Sequence, residues 1–288
     1  MMKSRKVILI SSFAILLCIF AFTDLQISHS LYEPTNKIAL FLQAIGEIPA
    51  MLIALFSSMY LFKTRKNKGS RGYYLSGIGY GVIILLFAFI ASFMLVHYLT
   101  ISKILIPIFM LCFIVACYMI SKSWSKYDDA KLRDIALIGL LSVVIVLITF
   151  NLIKLGWGRE RYRHMISIGS FEGFSKWFIP QGIAKSDEFM SFPSGHSANA
   201  ALVIWFSLLP EYFASLKRKK IGVWILILLW MILVPMSRIM VGAHFASDVT
   251  VGVAISVTVF MCLKKFIWRD KKNKRTNNND VLPHSLNR

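Results

Sequence analysis

Residues 135–153 read IALIGLLSVVIVLITFNLI, without one charged side chain, before the chain meets Lys154. An apolar stretch of about 20 residues is what a helix needs to cross the hydrocarbon core of a bilayer. Outward from it the same pattern recurs. Apolar runs lie upstream at residues 7–22, 38–62, 73–96 and 104–120, and downstream at 194–216, 221–240 and 244–267. Together they imply an all-α, polytopic membrane bundle of about eight transmembrane helices. Lys3, Arg5 and Lys6 precede the first run, and Thr23-Asp24-Leu25-Gln26 follows it where a cleaved signal would show small residues, so an uncleaved first span is expected. Gly46, Glu47 and Pro49 interrupt the second run, and a carboxylate inside a span is a functional candidate by default. A carboxyl facing a partner helix or the interface is the competing reading. Gly77 and Gly81 fit a small-xxx-small pattern and are expected at a helix contact.

Composition agrees with this reading: 57% of residues are hydrophobic and the mean hydropathy is +0.64, outside the soluble globular range. The formal charge of +19 would suggest nucleic acid in a soluble protein. Here the basic residues fall in short clusters between apolar runs, as loops beside lipid do, so no nucleic acid is expected. Cys18, Cys112, Cys117 and Cys262 all lie inside apolar runs, at no metal-ligand spacing, and read as small apolar residues.

With both termini in the cytoplasm, the basic clusters of the inner segments hold all but nine of the 33 Lys and Arg. The nine outer ones are Lys37, Lys103, Lys154, Arg159, Arg161, Arg163, Lys176, Lys185 and Arg238. That asymmetry obeys the positive-inside rule and places the long polar loop, 154–193, outside a cytoplasmic membrane. Three parts follow: four N-terminal spans over 1–133, a core over 134–267, and a basic, disordered tail over 268–288.

Six of the nine outer cations crowd into residues 154–185, against the topology rule, and a seventh, Arg238, ends the span at 221–240. Arg and Lys concentrated near a helix start suggest a phosphate partner. Three elements reach the same face. Lys154-x6-Arg161 leads out of one span. Pro193-Ser194-Gly195-His196 opens the next, with Ser194 placed to cap the helix and its first turn suited to an anion. Ser237-Arg238-x5-His244-x3-Asp248 joins the last two, with His244 and Asp248 on one face of a helical turn. A carboxylate so placed can hold an imidazole in one tautomer and raise its basicity.

This ordered set resembles the signature of the type 2 phosphatidic acid phosphatase superfamily: Lys-x6-Arg-Pro, Pro-Ser-Gly-His and Ser-Arg-x5-His-x3-Asp. It covers residues 154–248, with two departures. Tyr162 stands where the family has proline, and five spans precede the first element where the family core has three, implying an addition of two N-terminal helices. The resemblance implies a metal-independent lipid phosphatase. His244 would be the nucleophile, Asp248 would orient it and stabilise its charge, and His196 would protonate the leaving group. Lys154, Arg161, Ser194, Gly195 and Arg238 would bind the phosphate. No cofactor is implied. For Arg159 and Arg163, contact with a second phosphate and solvation of a surface loop are both open. The aromatic stretch Phe171, Phe174, Trp177 and Phe178 either lies in the membrane interface or packs the loop. The implied substrate is a lipid phosphate or diphosphate in the bilayer, first undecaprenyl diphosphate, then phosphatidylglycerophosphate or phosphatidic acid. A lipid phosphotransferase and a phospholipid transporter are the alternatives.

Overall fold

The computed structural model describes residues 2–124 and 130–280. The loop with Lys126, Asp128 and Asp129 lies outside the described residues. Among those described, regular structure is helical throughout. In chain order the helices are α1 (Met2–Leu31), α2 (Lys37–Ile45), α3 (Ile48–Lys63), α4 (Arg71–Tyr98), α5 (Ile106–Trp124), α6 (Ala130–Trp157), α7 (Tyr162–Ile168), α8 (Gly195–Ala201), α9 (Leu209–Tyr212), α10 (Ala214–Lys217), α11 (Lys220–Met240) and α12 (Ala246–Asp280).

Seven stretches are long and apolar enough to cross a membrane: Ile10–Leu31, Lys37–Lys63, Arg71–Tyr98, Lys103–Trp124, Ala130–Ile168, Lys220–Met240 and Ala246–Trp268. The eighth expected span is helical but not regular. It runs as α8, a 3₁₀ segment (Leu202–Leu208) and α9. Pro210 has no N–H to offer Phe206 and its ring crowds the preceding turn, which disfavours an unbroken α-helix, and it falls in the first turn of α9. The segment is buried against α3, α6, α11 and α12.

Apolar side chains gain little by leaving lipid for protein, so the bundle depends on close packing of small residues. Its centre is α3, buried almost continuously from Ile48 to Leu61. Ala50, Ala54, Ser57 and Ser58 of α3 and Ala88, Ala91 and Ser92 of α4 are all fully enclosed. Gly139 of α6 sits so close that a Cβ would lie 2.6 Å from Ser57 Oγ. The contact expected at Gly77 and Gly81 does not form. Gly81 faces open space and Gly77 faces the Arg65 guanidinium, so the small-residue seam of α4 lies about two turns further on. The large exposed apolar side chains of α1, α4, α5 and α11, Phe22, Leu75, Leu111 and Leu226 among them, suit a lipid surround.

Two departures from helical regularity shape the upper half. Between α2 and α3, Gly46 and Glu47 interrupt the helix and Pro49 restarts it within its first turn. Trp230 of α11 donates to the freed Gly46 carbonyl at 3.3 Å. The second is the close approach of α12 to the start of α8. Ser256 Oγ donates to the Ala198 carbonyl at 2.6 Å, and Gly252 lies against the Ser194 carbonyl. At the far end, α12 remains helical to Asp280, where the sequence reading placed disorder from residue 268. Lys and Arg rank among the better helix formers, so a basic run need not end the helix. Residues 281–288 lie outside the described residues.

A Cβ at position 252 would meet the Ser194 carbonyl oxygen at 2.4 Å, and backbone cannot swing aside as a side chain can. Gly252→Ala is expected to destabilise the protein by about 1–3 kcal/mol and to lower its unfolding temperature in detergent.

Candidate active site

α6 ends at Trp157, and Gly158 turns the chain with φ +62°, a conformation that suits glycine. The following residues run extended, held by backbone bonds from Gln181 N to Trp157 O (2.7 Å), Arg161 N to Glu188 O (2.8 Å) and Ser191 N to Arg159 O (2.9 Å). The polar loop is thereby stitched to the end of α6. Trp157 stacks on Phe192 at 4.6 Å. Ser194 caps α8 as expected, its Oγ accepting from Ser197 N, while its own N–H donates 3.1 Å to the Asp248 carbonyl.

His244 lies in the short connection between α11 and α12, which Gly242 turns with φ +66°. His244 Nδ1 is 2.5 Å from the Ser191 carbonyl, which can only accept, so Nδ1 carries the proton and Nε2 the lone pair. Burial pushes the imidazole well below the ordinary histidine range, aided by the charges of Lys154, Arg161 and Arg238. The ring is therefore neutral at pH 7.

The expected direct pairing of His244 with Asp248 is replaced by a relay. Asp248 Oδ2 lies 3.9 Å from His244 Nδ1. It accepts instead from Ser191 Oγ (2.6 Å) and Phe245 N (2.8 Å), while Oδ1 accepts from Arg159 Nη1 (2.5 Å). Asp248 thus fixes Ser191, and the Ser191 carbonyl fixes the histidine.

Lys154, Arg161, Gly195, His196, Arg238 and His244 line one cavity of about 750 Å³. Six of the eight residues singled out from sequence meet there. Ser194 and Asp248 stand behind the wall as supports. Arg161 forms a bidentate pair with the exposed Asp187 (2.7 and 2.9 Å), and Arg238 donates to Gln43 Oε1. Among the described residues, Arg161 Nε, Arg238 Nε and His196 Nε2 are buried without a hydrogen-bond partner. Leu40, Ile90, Met94 and Leu147 supply an apolar side to the same cavity.

Several partners were not expected. Arg159 is wholly buried rather than solvated, bonding Asp24 Oδ2 (2.9 Å), Ser247 Oγ (2.8 Å) and the Ser175 carbonyl (3.1 Å) besides Asp248. Its plane also lies 4.3 Å from the Phe245 ring. Asp24, an acid inside the first span, carried the only sequence signal for that partnership. Arg163 pairs with Glu188 (2.6 and 3.0 Å), and His164 with Glu160 (2.5 Å). Tyr162 begins α7 fully buried, its hydroxyl 3.1 Å from His29 and its ring edge-on to Tyr32 of the N-terminal segment. In the aromatic stretch, Trp177 donates to the Leu17 carbonyl (3.0 Å) and Phe174 packs on Phe245, while Phe171 and Phe178 stay exposed. Among the described residues, no cluster of three or more His, Cys, Asp or Glu could hold a metal ion.

Fold and cavity together define a membrane helix bundle with His196, His244, Lys154, Arg161 and Arg238 lining one cavity. Residues 135–272 match the PAP2 superfamily. The chain is 38% identical over 87 residues to phosphatidylglycerophosphatase B of Bacillus subtilis (strain 168), covering 30% of this chain and 41% of that protein. It is 37% identical over 106 residues to the lipid A 1-phosphatase of Rhizobium johnstonii, covering 36% of each. The lipid A 1-phosphatase of Rhizobium etli matches at 37% over 106 residues, 36% of this chain and 38% of that protein. The chain thus spans about two fifths of the length of the curated relatives it matches. No solved structure matches it. The family match begins in α6 and leaves α1 to α5 outside.

Arg159→Met would leave Asp24 and Asp248 buried without their cation, at a cost of about 3–5 kcal/mol. A large drop in unfolding temperature is expected. Arg159→Lys should recover little of it, because one ammonium cannot reproduce the forked contacts.

Proposed function

We propose that the protein is an integral-membrane phosphatase that hydrolyses a lipid phosphate or diphosphate through a phosphohistidine. The observation that carries this reading is the cavity wall on which His244, His196, Lys154, Arg161 and Arg238 converge. His244 presents the lone pair of Nε2 to phosphorus. As the P–O bond to the lipid breaks, its electrons stay on the leaving oxygen and His196 delivers a proton there. Water then attacks the phosphohistidine, passes a proton to His196, and the N–P electrons return to His244. Lys154, Arg161, Arg238 and the Gly195 N–H bind the equatorial oxygens. Such preorganised donors typically contribute ~3–4 kcal/mol each to the transition state. Asp248 and Ser194 act from behind, holding Ser191 and the helix start. No step is routed through a metal.

The charge distribution supports a site on the extracytoplasmic side of a cytoplasmic membrane, where a polyprenyl carrier such as undecaprenyl diphosphate is our first choice of substrate. Phosphatidylglycerophosphate is the second reading, favoured by the name of the Bacillus relative. The apolar side of the cavity suits the tail of either.

Phosphate release from a panel of these lipids, with phosphatidic acid included, tests the reaction. His244→Ala should lower the rate by on the order of 10³-fold or more and abolish acid-labile labelling of the protein by ³²P-lipid. Release undiminished in that variant would refute the mechanism. For orientation, Ile183 is 83% exposed in the polar loop. Ile183→Cys should react with a membrane-impermeant maleimide in intact cells; reaction only after the cytoplasmic face is opened would invert the topology.

A further inference from the structure

Glu47 sits in the gap between α2 and α3, buried at 5% exposure, and its side chain lines the cavity. Its Oε1 accepts from Asn199 Nδ2 at 2.9 Å and lies 3.7 Å from His196 Nδ1. His196 and Asn199 are three residues apart on α8, so one helix face presents both to the carboxylate. The other imidazole nitrogen, Nε2, is buried without a hydrogen-bond partner among the described residues. Gln43, one turn before Glu47, bonds Arg238, and its backbone carbonyl also faces the His196 ring. The Tyr98 ring closes the remaining side, edge-on at 5.2 Å.

A general acid needs a charged imidazole, and the cations that line this cavity oppose that charge. A carboxylate beside Nδ1 offsets them. We infer that Glu47 is a positioning residue for the leaving-group acid, holding His196 with Nδ1–H towards the carboxylate and Nε2–H towards the leaving oxygen. This rests on the phosphatase reading and deepens it. The proton balance closes without Glu47 changing state. The Nε2 proton goes to the leaving oxygen as the P–O bond breaks, the imidazolium becomes a neutral ring with its Nδ1–H in place, and a proton of the attacking water restores Nε2–H and the charge. Glu47 also lies outside the family-matched segment, so the N-terminal helices complete the site rather than only flank it.

Glu47→Gln keeps the size of the side chain and an acceptor for Asn199 while removing the charge. The test compares kcat/KM on two leaving groups, because kcat/KM reports steps only as far as P–O cleavage. One substrate is the alkyl lipid phosphate that the wild-type protein hydrolyses fastest; the other is 4-nitrophenyl phosphate, whose phenolate departs without a proton. The expected result is a fall of roughly 10²-fold or more on the alkyl substrate and of less than about threefold on the aryl one. In a His196→Ala background the substitution should add nothing. Equal falls on both substrates, no fall on either, or an undiminished effect without His196 would overturn the inference. If the wild-type protein releases phosphate from neither substrate, the phosphatase reading itself fails, and with it the role of Glu47.

Discussion

The carboxylate of Asp248 has no contact with solvent, and a buried charge persists only where it is paired and hydrogen-bonded. Most of the upper half of the molecule follows from meeting that requirement. Arg159 supplies the countercharge, Ser191 and the Phe245 N–H fill the second oxygen, and the Asp248 carbonyl receives the N–H of Ser194. Those partners come from all three elements of the site. One side chain therefore fixes where α6 leaves off, where α8 begins and how the His244 ring is turned. Arg159 is itself wholly buried and carries one charge among two acids, which brings Asp24 and hence α1 into the same knot.

The cavity has the opposite character. Its cations are only partly committed, with Arg161 and Arg238 each keeping a buried Nε unsatisfied. Groups that are desolvated but unpaired are costly to hold, and here they belong to residues that line the same cavity as His196. The rigid, saturated network behind the wall makes an unsaturated one in front of it sustainable. The tight approach of Gly252 to Ser194 and the Trp157–Phe192 stack give that wall its stiffness.

The bundle is legible in the sequence because lipid admits so few solutions: a charge-free run of the right length has almost nothing to be but a helix. The break at Gly46–Pro49 is legible as punctuation, whereas the direction in which Glu47 would turn is not, since that is set by Trp230 and Val234 of α11. Pro210 marks the irregular span in the same limited way. At the site, Lys154, Arg161, His196, Arg238 and His244 stand at fixed spacings within three short segments, so pattern alone finds them. Arg159 occupies an unspecified position inside the first element, and its partner Asp24 lies 135 residues away. The substitution of Tyr162 for proline is similar. Its meaning appears only with His29 and Tyr32, where a buried ring on α7 docks the N-terminal segment.

Asp24 is made long before Arg159. As the chain is synthesised, α1 must enter the bilayer with this acid uncompensated, and a carboxylate at a helix centre costs about 2.5–3.5 kcal/mol on insertion scales. Four further apolar segments follow before the guanidinium that neutralises it emerges at the end of α6. Insertion of the first helix and completion of the site are thus separated in time. Until the second event, α1 is held by its hydrophobicity and by the basic residues at its start, and its final seat against α12 is taken late in assembly.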